Sequence, residues 1–350
     1  MKFLKNNVCA PKGFKALGKA IGIKKSGKPD FAVIFSEVSA SASAVYTSNK
    51  VKGAPLIVTK KHLKNGKAQA MVINSGISNV CTGKKGVKDA EDTAKYAGDE
   101  LKINASDVIV ASTGLIGAYL PMEKIKKGVK GIKNHLSIKS NVASAIMTTD
   151  TIKKEIAVKV DNFTIGGIAK GSGMIYPNMA TMLCFITTDA KIPSKNLNAF
   201  LKKSVNKSFN MVSVDKDTST SDMVVVMANG LAGKVNYKKF QGALDYVCTE
   251  LAKKIAKDGE GATKLVEVKA KNAITEADAE KIAKSVISSN LVKCAAFGND
   301  PNWGRIFCAI GNSGDKFREN LVDIYIGKEI LVKNGTATGF NLDKVKSLMN

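Results

Sequence analysis

The sequence predicts a mixed α/β protein, and two of its features carry that expectation. Apolar runs of strand length alternate along the chain with longer stretches in which apolar residues recur every three or four positions. Hydrophobic residues make up 44% and charged residues 24% of the 350, the balance of a globular chain with a substantial core and room for about two domains.

Taken in order, residues 30–36 (DFAVIFS) and 44–47 read as strands, after a Gly- and Lys-rich stretch, GFKALGKAIGIKKSGKPD, with little periodicity of its own. A strand over 68–73 runs out into a polar turn cluster, NSGISNVCTG, at 74–83. Residues 85–102 form an amphipathic helix with Val87, Ala90, Ala94, Ala97 and Leu101 on one face. A strand over 108–111 ends in Ser112-Thr113-Gly114, and a lysine-rich helix follows over 122–135. Strands at 155–160 and 163–169 lead to a loop and then to the apolar run 182–186. Helices are expected over 196–209 and 238–257, the second with Leu244, Val247, Leu251 and Ile255 on one side, and a strand over 223–227. DGEGATK, residues 258–264, leaves that helix with Gly259 and Gly261 as C-cap and turn residues. It does not satisfy the spacing of a phosphate-binding GxxxxGK[ST] loop. Thr275 and Asp278 approximate a capping box for a further helix. AAFGNDPNWGRI, residues 295–306, reads as a structural loop, VDIYI at 322–326 as a strand, and 342–349 as a helix.

Composition argues against several functions. The net charge of +24 invites a nucleic-acid reading, yet only Arg305 and Arg318 are arginines and the lysines are scattered. Base readout favours the arginine fork, and 6% aromatics with one Trp make a poor stacking platform. The field of such a surface would instead favour small anionic substrates. The six cysteines form no CxxC pair and read as reduced, mostly buried thiols. With only His62 and His135, a His-rich metal site or a Ser-His-Asp triad is not expected. Asp215, Asp217 and Asp222 in SVDKDTSTSD lack the central Gly and terminal Glu of a calcium loop, so no metal is expected. No segment approaches the ~20 apolar residues of a membrane span. The lysines of MKFLKNNVCAPKG precede no apolar core of a secretory signal, so a cytoplasmic location is expected.

The chain's chemistry centres on AKGSGMIYPNMATMLCFITTD, residues 169–189. Gly171, Gly173 and Pro177 mark a tight loop, and Thr181 stands where that loop feeds an apolar strand. Taken alone, Thr181 could simply satisfy its own hydrogen bond there. A threonine hydroxyl is a poor nucleophile without an adjacent base, and a freed α-amine on the same residue is such a base. Its ordinary pKa of about 8 leaves a useful neutral fraction near neutral pH.

KGSGMIYPNMATML resembles the self-cleavage site of the ornithine acetyltransferase family, the glutamate N-acetyltransferases and amino-acid acetyltransferases of arginine biosynthesis. ASTGLIG, MTTDTIKK, DGEGATK and DPNWGR are similar to further family segments, in family order from about residue 13 to 306. Ile77, Ser78, Lys216, Ser221 and Asn299 depart from the family's commoner residues. The resemblance implies a cut between Ala180 and Thr181, with Thr181 then carrying the acetyl group. It implies that Thr113 and Gly114 hold the oxyanion, where each preset donor is worth about 3 kcal/mol. It further implies that Thr151, Lys170, Thr181 and Glu260 contact the substrate.

The implied fold is a layered α/β sandwich of N-terminal-nucleophile type with a smaller C-terminal domain. Residues 1–180 would be the α chain, 181–350 the β chain, and the C-terminal subdomain would begin near 270. The implied reaction moves acetyl from N-acetylornithine to glutamate by a ping-pong route, with amino acids as partners and two copies of each chain in the assembly. No cofactor is implied, and acetyl-coenzyme A as a second acetyl donor stays open. Two other readings stand beside it: a self-cleaving aminopeptidase or amidase, and a lysine-rich nucleic-acid binder. Family members continue past the point matching LDKVKSLMN, so contacts from their C-terminal tails are expected to have no counterpart here.

Overall fold

Runs such as FAVIF and MVVVM favour extended backbone because β-branched and aromatic side chains pack well on a pleated surface. The computed structural model, which describes residues 1–176 and 182–349, gathers these runs into one large sheet. In chain order the N-terminal part contributes β1 (Lys2–Phe3), β2 (Phe14–Lys19), β3 (Phe31–Tyr46), helix α1 (Ala54–His62), β4 (Lys67–Ile77), α2 (Gly83–Leu101) and β5 (Val108–Leu115). Then come α3 (Met122–Val129), α4 (Ile132–His135), α5 (Val142–Ala145), β6 (Lys154–Val160) and β7 (Phe163–Lys170). Beyond residue 181 follow β8 (Leu183–Ala190), α6 (Ser194–Lys207), β9 (Met223–Gly233) and α7 (Tyr237–Lys257). The C-terminal region holds α8 (Glu276–Ser288), α9 (Asn290–Phe297), α10 (Trp303–Gly311), β10 (Ile324–Ile326), β11 (Glu329–Lys333), β12 (Thr336–Ala337) and α11 (Leu342–Met349).

The large sheet runs β1-β6-β7-β8-β9-β3-β4-β5, with β2 paired to β3. β3 is its pivot. Residues 31–35 pair with β4, and a shift of register between Phe35 and Ala40 then passes residues 41–46 to β9. The two strands expected at 30–36 and 44–47 are therefore one strand, swung outward at the exposed Glu37, Val38 and Ser39. Because successive side chains face opposite ways, each half of the sheet has two apolar faces. Ile34, Met71, Ile73, Ile109 and Ala111 meet Ile168, Leu183, Phe185, Val225 and Met227 in a central core. Phe31, Val33, Val72, Val108 and Val110 face Ala90, Ala94, Ala97 and Leu101 of α2. Ile165, Ile186, Val224 and Val226 face Leu197 and Leu201 of α6 and Leu244, Val247, Leu251 and Ile255 of α7. The result is helix, sheet, sheet, helix: the layered α/β sandwich expected, with each fully buried aliphatic side chain stabilising it by about 1.5–3 kcal/mol.

A smaller core of Val286, Val292, Ala309, Ile310, Ile324 and Val332 joins α8–α10 to the three-stranded sheet β10-β11-β12. Thr275 and Asp278 complete a capping box at α8, as their spacing predicts. Other expectations need correction. GFKALGK supplies β2, which gains its structure from pairing with β3 rather than from its own pattern. The helix expected over 122–135 breaks at Gly131, whose φ of 68° is left-handed. DPNWGR is a helix start rather than a loop: Asn302 caps α10, and Trp303 and Arg305 lie within it. Cys9, Cys184 and Cys248 are buried, but Cys81, Cys294 and Cys308 are exposed, because the small C-terminal core and the 78–82 loop leave them at the surface. Among the described residues no helix is long and apolar enough to cross a membrane.

Candidate active site

The parallel strands β4 and β5 end side by side, with Ser75 beside Thr113 and Gly76 beside Gly114. Gly114 has φ 128°, and a Cβ there would lie 2.3 Å from the Gly76 carbonyl carbon, so glycine is what lets the strand ends approach. Polar residues from the 74–83 cluster hold this end of the sheet. Ser112 Oγ donates to Asn74 Oδ1 (2.5 Å), Asn74 Nδ2 to the Ile77 carbonyl (2.8 Å), and Ser78 Oγ to the Leu115 carbonyl (2.8 Å). Thr113 is buried and Gly114 exposed, so the Thr-Gly pair stands at the mouth of the sheet.

β7 carries Lys170 to the same place. Every residue of that strand is buried, and Lys170 Nζ donates to Thr113 Oγ1 at 3.3 Å. Burial pushes the Lys170 ammonium below its ordinary pKa, opposed by the carboxylates of Asp150, Asp222 and Glu260 and reinforced by Lys154. Asp150 Oδ1 accepts from the Gly171 amide (2.7 Å) and from Lys154 Nζ (2.6 Å), and Asp150 Oδ2 accepts from the Thr148 amide (2.9 Å). Burial acts to raise the Asp150 carboxyl, but the charges of Lys170 and Lys154 and the Gly171 N–H outweigh it and hold the pKa low. Lys154, fully buried, also donates to Asp258 Oδ2. Asp258 closes α7 and accepts from both the amide and the hydroxyl of Thr151.

Lys170 thus meets Thr113 directly, with Gly114 next along the strand, and Thr151 is linked through Asp258 and Lys154 to Asp150, which holds the Gly171 amide beside Lys170. Glu260 is exposed, and its amide donates to the Ser172 carbonyl (2.9 Å). Its carboxylate lies over Gly173, where an added Cβ would come within 2.7 Å of it. Ala180 and Thr181 lie outside the described residues. The loop 213–222 holds the chain on both sides of them. Asp215 Oδ1 accepts from the Ile175 amide, Thr218 Oγ1 donates to the Tyr176 carbonyl, and the Met223 amide donates to the Met182 carbonyl. Leu183, two residues after Thr181, pairs with Lys170 across β7 and β8.

Asp150, Lys154 and Asp258 were not singled out by sequence reasoning, although Asp150 and Lys154 stand in MTTDTIKK and Asp258 opens DGEGATK. The signal for the first two is the i, i+4 carboxylate and lysine where the chain enters β6. Among the described residues no group of three His, Cys, Asp or Glu side chains is placed to hold a metal ion. Asp215 instead accepts backbone amides. A cavity of about 710 Å³ lies to one side, between α7, α8, α9 and the extended segment 260–271, and is lined among others by Glu260 and by Ser213 and Val214 of the 213–222 loop.

The ArgJ family pattern matches residues 15–350. The arginine biosynthesis bifunctional protein ArgJ of Caldanaerobacter subterraneus subsp. tengcongensis is 48% identical over 366 residues, covering 100% of this chain and 91% of that protein. The protein of the same name from Listeria monocytogenes serovar 1/2a is 47% identical, covering 97% of this chain and 88% of its own length. Among solved structures, an ornithine acetyltransferase of Mycobacterium tuberculosis in complex with ornithine matches 51% of this chain and 99% of its own, at 40% identity and a TM-score of 0.49. By the extent of the family match and the identity to its relatives, this chain belongs to the ArgJ family.

Proposed function

We propose that this chain is an ornithine acetyltransferase of arginine biosynthesis, moving acetyl from N-acetylornithine to glutamate through an acetyl ester on Thr181. The observation that carries the reading is the convergence of Thr113, Gly114 and Lys170 beside the β7–β8 junction, with Thr181 two residues from Leu183 in that pairing. In the first half-reaction the freed Thr181 amine takes the hydroxyl proton, and the hydroxyl oxygen bonds to the acetyl carbonyl carbon. The carbonyl oxygen becomes an oxyanion, to which the Thr113 hydroxyl and Gly114 N–H supply preset donors. Collapse breaks the C–N bond, and the departing ornithine amine receives the proton. Glutamate's α-amine then attacks the acetyl ester by the same steps in reverse, returning the Thr181 hydroxyl.

Thr151, Lys170 and Glu260 are the proposed substrate contacts, and cutting at Ala180–Thr181 is the proposed activation. Residues 1–180 and 181–350 are the proposed chains, assembled as two of each, in the cytoplasm. The bifunctional name of the relatives favours acetyl-coenzyme A as a second donor.

The test is cleavage and transfer measured together. Purified protein should run as two chains of similar mass on a denaturing gel and acetylate glutamate from N-acetylornithine. Thr181→Ala should stay whole and inactive. An active wild type that stays as one chain refutes the mechanism, and acetylornithine turnover without glutamate favours a hydrolase. Glutamate with acetyl-coenzyme A alone decides the second donor.

A further inference from the structure

We propose that Lys293 of α9, helped by Lys284 of α8, is a positioning residue for self-cleavage: the C-terminal region holds the segment that enters the cut site and so sets how fast the chain cuts itself. The inference rests on the cleavage at Ala180–Thr181 proposed above. It adds to that reaction two residues that stand more than a hundred positions beyond the bond to be cut.

One side chain makes the main link. The Lys293 ammonium donates to the Ser213 carbonyl (3.1 Å), the Ser213 hydroxyl (3.2 Å) and the Val214 carbonyl (2.6 Å). The peptide group between Ser213 and Val214 is therefore held at both ends. Its oxygen accepts from Lys293, and its N–H, on Val214, donates to the Ile175 carbonyl at 2.6 Å. A carbonyl bonded to a cation polarises its own N–H, which strengthens the bond passed on to Ile175. The Ile175 amide donates in turn to Asp215 Oδ1 (2.9 Å), so Ile175 is fixed through both of its backbone groups. Tyr176, the next residue toward the cut, has a second tie. Lys284 Nζ lies 4.8 Å from the centre of its ring, within reach of a cation–π attraction.

Both lysines act from a firm base, because Val286 of α8 and Val292 of α9 are buried in the C-terminal core. Lys293 is half-buried. Burial lowers its pKa from the ordinary lysine value, opposed by the Asp215 carboxylate and reinforced by the charge of Lys216. An ammonium has three hydrogens and no acceptor, and here three oxygens receive them, which offsets the cost of burying the charge.

Cutting is a reaction in which orientation governs rate. The Thr181 hydroxyl oxygen must bond to the Ala180 carbonyl carbon while the C–N bond breaks and the hydroxyl proton passes to the departing amine. Water then hydrolyses the ester, leaving a carboxylate on Ala180 and the hydroxyl on Thr181. Fixing Ile175 and Tyr176 on one side, as the Met223 amide fixes the Met182 carbonyl on the other, narrows the arrangements open to the bond between them.

The test follows the full chain as it is made in a cell-free system, labelled briefly with radioactive methionine and then chased. Lys293→Met keeps the stem and removes the donors. It should slow conversion of the whole chain into two parts by roughly tenfold or more, since a misplacement of about 1 Å costs about 10²-fold. Lys293→Arg, which keeps charge and donors, should restore most of the rate, and Lys284→Met should slow it by about two- to fivefold. Once cut, Lys293→Met molecules should move acetyl from N-acetylornithine to glutamate at close to the wild-type rate. Equal loss of cleavage and transfer marks a general structural injury and would overturn the proposal, as would cleavage of Lys293→Met at the wild-type rate.

Hydrogen exchange in the uncut Thr181→Ala chain reads the same tie without any reaction. The Ile175 and Val214 amides should exchange faster when Lys293→Met is added, while the amides of α2 stay as they were. Unchanged exchange at both would overturn the positioning. A wild type that is never cut refutes the cleavage reading and this proposal with it. A wild type that is cut but transfers no acetyl refutes the acetyltransferase reading alone. If Lys293→Met does not fold, the cleavage rate of Lys284→Met decides.

Discussion

Gly114→Ala is the sharpest single perturbation of the site, because a methyl group there meets backbone and not a side chain that can turn aside. The φ of 128° is one that residues with a Cβ avoid, a cost of about 1–3 kcal/mol. The new carbon would also lie 2.3 Å from the Gly76 carbonyl carbon and 2.5 Å from its oxygen. Reaching ordinary contact requires the ends of β4 and β5 to part by about 1 Å, and overpacking of this kind costs a further 1–3 kcal/mol or so. The sum, about 2–6 kcal/mol, is smaller than most of the roughly 5–15 kcal/mol that holds a typical native state, so the variant should fold with a clearly lowered Tm. If Thr113 and Gly114 hold the oxyanion as proposed, the same 1 Å or so displaces the Thr113 hydroxyl and the Gly114 N–H from the reacting carbonyl. A misplacement of that size costs about 10²-fold in rate. Thermal unfolding by circular dichroism and steady-state acetyl transfer should therefore fall together, with KM much less affected. Wild-type Tm and kcat in Gly114→Ala would refute both the close approach of the strands and the oxyanion assignment.

Three further outcomes are expected. After cleavage, residues 1–180 and 181–350 should elute as one particle in native buffer and separate only in denaturant, because β8 lies between β7 and β9, and β9 pairs with β3; free fragments in native buffer would contradict that strand order. A thiol reagent at neutral pH should titrate Cys81, Cys294 and Cys308 quickly, and Cys9, Cys184 and Cys248 only on unfolding, since burial removes access and pushes the Cys9 thiol up to about 11; six fast thiols would overturn this. Asp258→Asn weakens the bonds of Lys154 and Thr151, and breaking such a buried pair costs about 3–5 kcal/mol. Despite the opposing effect of burial, bonds from Lys154 and Thr151 hold the Asp258 carboxyl below its ordinary range. Its stabilisation is therefore complete above about pH 4 and drains away as pH falls through the depressed value. The variant should show a flatter acid limb in its stability profile, and an unchanged limb would exclude the assignment.

What the sequence determined by itself was local. The period of α2 and α7, the capping box at Thr275 and the apolar runs of β4 to β9 are set by neighbours within a few residues, and they appear where their patterns place them. The motifs that hold Thr113, Gly114, Lys170 and Glu260 were legible only as a resemblance to a family, not from period or spacing. What tertiary structure decided are relations between distant segments. β2 has no periodicity of its own and exists through β3, while β3 carries a register shift that lets one strand serve two halves of the sheet. Asp258 reaches Lys154 and Thr151 from more than a hundred residues away, so no spacing announces that the three belong together. Gly114 shows the division most plainly. The sequence marked a glycine beside a hydroxyl, and only the approach of Gly76 on a neighbouring strand shows that the absent side chain is required, because two backbones there lie closer than any Cβ allows.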